Sequence, residues 1–285
     1  MFSDIYYLID GMPMGMPKFL SIYVIENNGM RLMIDVGETL KVRTIIKKIK
    51  DFGLYPIHKI VLTHSHWDHA QGLSKMNKLM KDLDVEILAS ENAIENLRHP
   101  DKMIGGFEGI NFYPFEDEVT PLKEGDIIDL NGLELEVMNF FGHTMDSIAL
   151  FDKSNRNIFI GDAIGMRLDQ DAFFIPLMPP DFQEKDLLNS FNKLRNMRDS
   201  LSSISLAHFG VWKDTHFEQI LNEMEDLYFK VKNSLIEWYN ENPSIEIITS
   251  KYCKILMPNS KFWNEKIFEF IVRMMINGLK ISGFI

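Results

Sequence analysis

Apolar positions follow two different rhythms along the chain. Residues 18–27, KFLSIYVIEN, and 31–37, RLMIDVG, are short apolar runs rich in β-branched and aromatic side chains. The turn NNG at 27–29 joins them, so the pair predicts a β-hairpin. Residues 38–53 carry apolar side chains at helical spacing and stop at Gly53. Residues 58–66, HKIVLTHSH, read as a short strand running straight into polar positions. A helix is expected from about Ala70 to Leu83, and a strand over 85–90, VEILAS. Segments 126–130 and 133–140 flank Asn131-Gly132, a second hairpin signal. Segments 147–152 and 157–162 flank the polar turn KSNR. A helical pattern follows from Asp181 to about Ser200, then a strand over 203–208, SISLAH. Strands that recur with helices between them in both halves predict a layered α/β architecture.

After His216 the pattern becomes helical: 216–240 reads as one long amphipathic helix, and 244–257 and 261–281 as two more. A soft boundary near residue 215 divides the chain into a main domain, 1–215, and a C-terminal helical extension, 216–285. No Gly/Ser linker separates them, so the extension is expected to pack on the main domain. Phe217, Tyr228, Trp238, Phe262 and Trp263 are read as core of that extension.

A length of 285 residues suffices for one large α/β domain with an appendage. The net charge of -11 lacks the basic footprint of a nucleic-acid binder, so the expected partner is a small molecule. One cysteine, Cys253, cannot form an internal disulfide. No stretch reaches the ~18 apolar residues of a membrane span, and the first ten residues lack the basic-then-apolar pattern of a signal peptide. A cytoplasmic enzyme or binding protein, not attached to a membrane, is the expected class.

The segment THSHWDHAQG, residues 63–72, concentrates three histidines and an aspartate. Crowded imidazoles gain nothing for a core, because each needs a partner when buried and protonated neighbours repel. In an extended or irregular backbone His64 and His66 can point the same way, while a turn carries Asp68 and His69 to a neighbouring point. Neutral imidazole and carboxylate suit zinc, and also iron, manganese or nickel. One metal needs at least three protein ligands, so two need more than this motif supplies. Three further candidates stand at strand ends beside small residues: His143 in FFGHT, Asp162 in FIGD and His208 in LAHFG. Five of the eight histidines then serve one hypothesis, which outweighs the ordinary reading of a polar surface loop.

The order His-x-His-x-Asp-His, a lone His after Gly, Gly-Asp, and a His at a late strand end resembles the metallo-β-lactamase superfamily of hydrolases, over roughly residues 5 to 212. The resemblance implies a four-layer αβ/βα sandwich with metals at one edge of its two sheets. It assigns His64, His66 and His143 to one metal, Asp68, His69 and His208 to a second, and Asp162 to both. Asp35 in MIDVG matches an early aspartate that supports the histidine loop, with Thr63 and Thr144 in similar roles. Zinc is the first expectation for the two divalent ions, with iron or manganese also suited. A hydroxide between them, its pKa lowered towards ~7, would be the nucleophile. Asp68 would accept or pass a proton, and the implied reaction is hydrolysis of an ester, lactone or thioester.

Departures from family patterns narrow this further. Asp162 stands where the best-known zinc β-lactamases place cysteine, so antibiotic hydrolysis is not the expected role. His66 replaces the glutamate of flavin-linked di-iron oxygen reductases. No tyrosine occurs between Asp162 and His208, unlike the familiar acyl-homoserine lactonases. Trp67 inside the motif and AHFG at 207–210 look most like a broad hydrolase group that includes lactonase-like proteins, and the helical tail is similar to that of glyoxalase II-like thioesterases. The competing readings are a mononuclear iron oxidoreductase of the persulfide-dioxygenase kind, a phosphodiesterase, and a metal-stabilised protein without activity. Two segments are candidate walls of a substrate pocket: the Met-rich GMPMGMPKF around Met12 to Met16, and DAFFIPLMPPDF at 171–182 with Phe173 and Phe174. The second of these, and the helical tail, are also candidate contacts of a homodimer.

Overall fold

The computed structural model describes residues 4–103, 111–168, 172–260 and 263–285. Asp171 and Phe262, named above, lie outside the described residues. The chain forms strands β1 Tyr6–Asp10, β2 Ser21–Asn27 and β3 Met30–Ile34, helix α1 Val42–Asp51, strand β4 Lys59–Leu62, and helices α2 Trp67–Ala70 and α3 Leu73–Leu79. Strand β5 Glu86–Ser90, helix α4 Ala93–Arg98 and strand β6 Thr120–Leu122 follow. These six strands make one sheet in simple order, β1-β2-β3-β4-β5-β6.

The second half adds strands β7 Ile127–Leu130, β8 Leu133–Asn139, β9 Ile148–Asp152, β10 Asn157–Gly161, β11 Met166–Arg167 and β12 Phe173–Phe174, then helix α5 Glu184–Asn196. Strands β13 Ser203–Leu206 and β14 Gly210–Lys213 precede helices α6 Thr215–Glu241, α7 Ile245–Leu256 and α8 Glu265–Ile281. A second sheet has the order β14-β13-β10-β9-β8-β7, and β11 and β12 pair as a small ribbon.

Period-two alternation builds the layers. In β2, Tyr23 and Ile25 enter the cluster between the sheets, where they meet Leu135, Val137 and Phe159 of the second sheet. Ile22 and Val24 of the same strand face Ile45 and Ile49 of α1. The outer face of the second sheet packs its Phe151, Ile158 and Ile160 in one buried cluster with α5, α6, α7 and α8. The result is the expected four-layer helix–sheet–sheet–helix sandwich. Both Asn-Gly steps are hairpin turns, with Asn28 and Asn131 at φ 47° and 52° and each following glycine also positive. This is the backbone that Asn-Gly tolerates and that matches strand twist.

The sequence reading did not give α4, β6, β11 or β12, and three further elements depart from it. The helix expected from Ala70 to Leu83 is two short helices broken near Gly72, and the first begins at Trp67 inside the histidine motif. Gly72 packs against the backbone of Gly37, whose carbonyl its N–H donates to at 2.7 Å; a Cβ there would lie 2.8 Å from that oxygen. Strand β1 was unread because its residues, YYLID, show no clean alternation of apolar and polar positions. Strand β14 has only one fully buried residue and reads as loop. Among the described residues, no helix is long and apolar enough to cross a membrane.

Candidate metal centre

The centre forms where strand ends of the two sheets converge. Strand β4 delivers Thr63 and His64, and the backbone stays extended through His66 before α2 turns Asp68 and His69 inward. The second sheet contributes His143 beyond β8, Asp162 directly after β10, and His208 shortly after β13. The Ile148 N–H donates to the Thr63 carbonyl at 2.9 Å and ties the two sheets at this edge. All seven side chains are buried, Asp68 being the most exposed at 9%. Donor atoms fall into three overlapping groups, each within 4.8 Å: His64, His66 and His143; His64, His69 and Asp162; Asp68, His69 and His208.

Two glycines permit this closeness. Gly161 sits at φ 58°, and a Cβ there would lie 2.9 Å from Thr63. Gly142 sits at φ 129°, and a Cβ would meet the Leu187 backbone nitrogen at 2.3 Å, inside any contact distance.

Hydrogen bonds fix how each ring faces. Asp35, itself at φ 62°, accepts from the Thr63 N–H at 2.8 Å and from the Thr63 hydroxyl at 2.9 Å. Its Oδ2 also lies 2.9 Å from His69 Nδ1. The Thr63 hydroxyl oxygen lies 3.1 Å from His64 Nδ1. His143 Nδ1 donates to the Pro176 carbonyl at 2.8 Å, and His208 Nδ1 to the Phe19 carbonyl. In each of these four rings the bonded Nδ1–H turns Nε2 toward the centre. The Thr144 hydroxyl donates to Asp146 at 2.6 Å and so secures the turn that carries His143.

This donor set fits divalent cations. His66 Nδ1 lies 3.1 Å from His64 Nε2 and 2.9 Å from His143 Nε2. Both of those Nε2 atoms are acceptors, and one proton on His66 can satisfy only one of them. His69 Nε2 and Asp162 Oδ1 are buried with no hydrogen-bond partner among the described residues. Three nitrogen lone pairs meeting at a point, beside orphaned buried donor atoms, are stabilised by a cation and not by a protein group. The clusters and the family match reported below together indicate divalent metals.

The electrostatics divide the seven into two trios with Asp162 between them. Burial, then the neighbouring rings, holds His64 well below the usual imidazole range. Burial and His143 push His66 down to about 3, and burial lowers His143. Burial also opposes protonation of His69 and His208, but the carboxylates win: Asp162, Asp68 and Asp35 raise His69 well above its ordinary value, and Asp162 and Asp68 raise His208 to about 9. For Asp162 burial alone would raise the carboxyl, yet His208 and His69 hold it well below the carboxylate range. Asp68 is lowered by the same two rings against the same burial. One trio is therefore poised as neutral nitrogen donors, while on the other side protons balance the carboxylates.

A cavity opens onto five of the seven, His66, Asp68, His143, Asp162 and His208. Phe174 and Met178 from the 171–182 segment line it, as does Trp67 of the motif. Phe173 instead lines a smaller neighbouring cavity beside Arg167. Of the Met-rich segment, Phe19 at its end lines the cavity, whereas Met14 and Gly15 border a separate groove that Trp67 also lines. The sequence reading missed Phe270, Ile271 and Met274 of α8, which close the cavity from the tail. Their helical spacing marks a buried face but not what it faces. His58 accepts from the Arg31 N–H at 3.1 Å, and His216 stacks edge-on with Trp212.

Comparison with known proteins agrees with this geometry. The family described as the Metallo-beta-lactamase superfamily matches residues 16–208. A ribonuclease Z of Clostridium botulinum is 33% identical over 44% of this chain and 39% of its own length. The human acyl-coenzyme A thioesterase MBLAC2 is 26% identical over 50% of this chain and 58% of its own length. The chain thus spans well under two thirds of these curated relatives. The metallo-beta-lactamase family protein TTHA1429 of Thermus thermophilus superposes with a TM-score of 0.65 at 18% identity, over 99% of this chain and 95% of its own. That likeness of fold includes the C-terminal helices.

Proposed function

The chain belongs to the metallo-beta-lactamase superfamily, and from that premise we propose that it is a dinuclear metal-dependent hydrolase of carboxylic esters, lactones or thioesters. The reading rests on one observation above the others: a single Asp162 oxygen, Oδ2, lies 3.6 Å from His143, 3.5 Å from His69 and 3.4 Å from His208. In this reading His64, His66 and His143 hold one ion, Asp68, His69 and His208 hold the other, and Asp162 serves both. When bound, the ions supply a water-derived nucleophile at neutral pH and draw electrons from the acyl oxygen under attack. Zinc suits the set, with iron or manganese as alternatives.

The protein's own groups do the rest. Asp35 and the Pro176 and Phe19 carbonyls hold the rings so that their Nε2 atoms converge. Asp68 lines the cavity as an ionised carboxylate, placed to take a proton from the attacking water and return it to the leaving group. The apolar wall excludes bulk water from the acyl carbon.

Metal analysis of the purified chain, paired with a panel of esters, lactones, thioesters and phosphodiesters, tests the proposal. The expected result is two divalent ions per chain and turnover confined to acyl substrates. One iron per chain with sulfur oxidation would instead establish the dioxygenase reading. Turnover of phosphodiesters alone would follow the ribonuclease Z likeness.

A further inference from the structure

Beyond the histidines and aspartates of the centre, the described lining of the cavity is apolar throughout. Phe19 and Phe174 flank the His208 ring, with centroids 4.7 and 6.5 Å away. Met166 and Met178 come from the segments that follow Asp162, and Phe270 and Met274 stand one turn apart on α8. The described lining contains no lysine, arginine, serine, threonine or tyrosine. A phosphate, a carboxylate or a peptide-like tail placed here would lose its hydration and find no replacement. An apolar group would lose nothing, and methionine side chains adapt to its shape.

The wall contributed by α8 is anchored. Gly278 sits so close to Leu177 that a Cβ would lie 2.8 Å from its carbonyl oxygen, which seats the helix backbone on the segment leading to Met178. The Tyr252 hydroxyl of α7 donates to the Phe173 carbonyl at 2.6 Å and pins the adjoining ribbon. The α8 side of the cavity is therefore a built surface of the fold.

We infer that this cavity is an acyl pocket that selects an uncharged, hydrophobic acyl group and that Met274 and its neighbours on α8 set the chain length accepted. The inference rests on the hydrolase reading above for its chemistry. Water adds its oxygen to the acyl carbon, the acyl–oxygen or acyl–sulfur bond breaks, and the leaving alcohol or thiol takes the water's proton. The leaving group stays outside the apolar wall.

The metal-loaded full chain should be assayed on acetyl, butyryl, hexanoyl, octanoyl, palmitoyl and succinyl thioesters. The binding of acetate and octanoate should be measured by calorimetry alongside. The expected results are a kcat/KM for octanoyl about ten-fold or more above acetyl, as burial of added methylenes requires, poor turnover of succinyl, and octanoate binding tighter than acetate. Met274→Trp should shrink the octanoyl-to-acetyl ratio about ten-fold, and Met274→Ala, which keeps the helix, should move the optimum to a longer chain. Equal rates for acetyl and octanoyl, or a preference for succinyl, would overturn the pocket and leave the hydrolase standing. Tight octanoate binding that Met274→Trp abolishes, without turnover of any ester, would uphold the pocket and sink the hydrolase. Octanoate binding no tighter than acetate would overturn the pocket even in an inactive preparation.

Discussion

Asp162 Oδ2 stands 3.6 Å from His143 Nε2 and 3.4 Å from His208 Nε2, so one carboxylate oxygen joins a histidine beyond β8 to a histidine beyond β13. No other aspartate or glutamate among the described residues pairs with both of these rings. Replacing it with alanine removes the negative charge that two cations would share and leaves two sets of donors with nothing between them. Asp162→Ala is expected to bind one ion or none per chain and to lose about 10²-fold or more in hydrolysis. Elemental analysis beside the kinetics checks it, and retention of both metal and rate would defeat the dinuclear scheme.

Asp35 touches no group at the centre except through His69 and Thr63. Its φ of 62° is one that asparagine also tolerates. Asp35→Asn should therefore fold, while losing the charge that orients and polarises His69. Affinity for the ion held by His69 is expected to fall by roughly 10–100-fold, with the other ion little changed. A competitive chelator titration separates the two affinities.

The two trios should load differently with pH. His66 is pushed down to about 3 and its partners are also lowered, so protons do not compete for that trio at neutral pH. His208 is raised to about 9 and His69 well above its ordinary value, so a cation there must displace protons. Because these two pKa values are raised, metal affinity at their group increases as pH rises towards 9 and falls as pH drops. Stoichiometry measured by equilibrium dialysis is expected to approach one ion per chain near about pH 6 and two near about pH 9. Equal occupancy across that window would show that the carboxylates do not protonate these rings.

Much of the centre was legible in the sequence because its donors are rare residue types at strand ends. His64, His66, Asp68 and His69 announce themselves by density, and His143, Asp162 and His208 each stand beside a small residue. The two carbonyls that orient His143 and His208 were not legible, since every residue carries a carbonyl and only the fold brings Pro176 and Phe19 to those rings. The layers could be read where turns are punctuated by Asn-Gly, as between β2 and β3. They could not be read at β1, where partial burial on both faces hides the alternation.

Gly142→Ala is expected to disturb both stability and the centre. The new Cβ would meet the Leu187 backbone at 2.3 Å in a backbone region that only glycine occupies easily. The loop must move, and His143 with it. A destabilisation of roughly 1–3 kcal/mol, read from the denaturant midpoint, should accompany weaker binding of the ion held by His143. An unchanged midpoint would mean that α5 yields without strain.

The family match ends at residue 208, the last of the seven, whereas the α8 residues that face them begin at Phe270. Reactive machinery and cavity roof are thus encoded in separate stretches of the chain. Exchanging the single helical turn between Phe270 and Met274 would change what fits while leaving every donor in place. Relatives could in this way diverge in diet without touching their teeth.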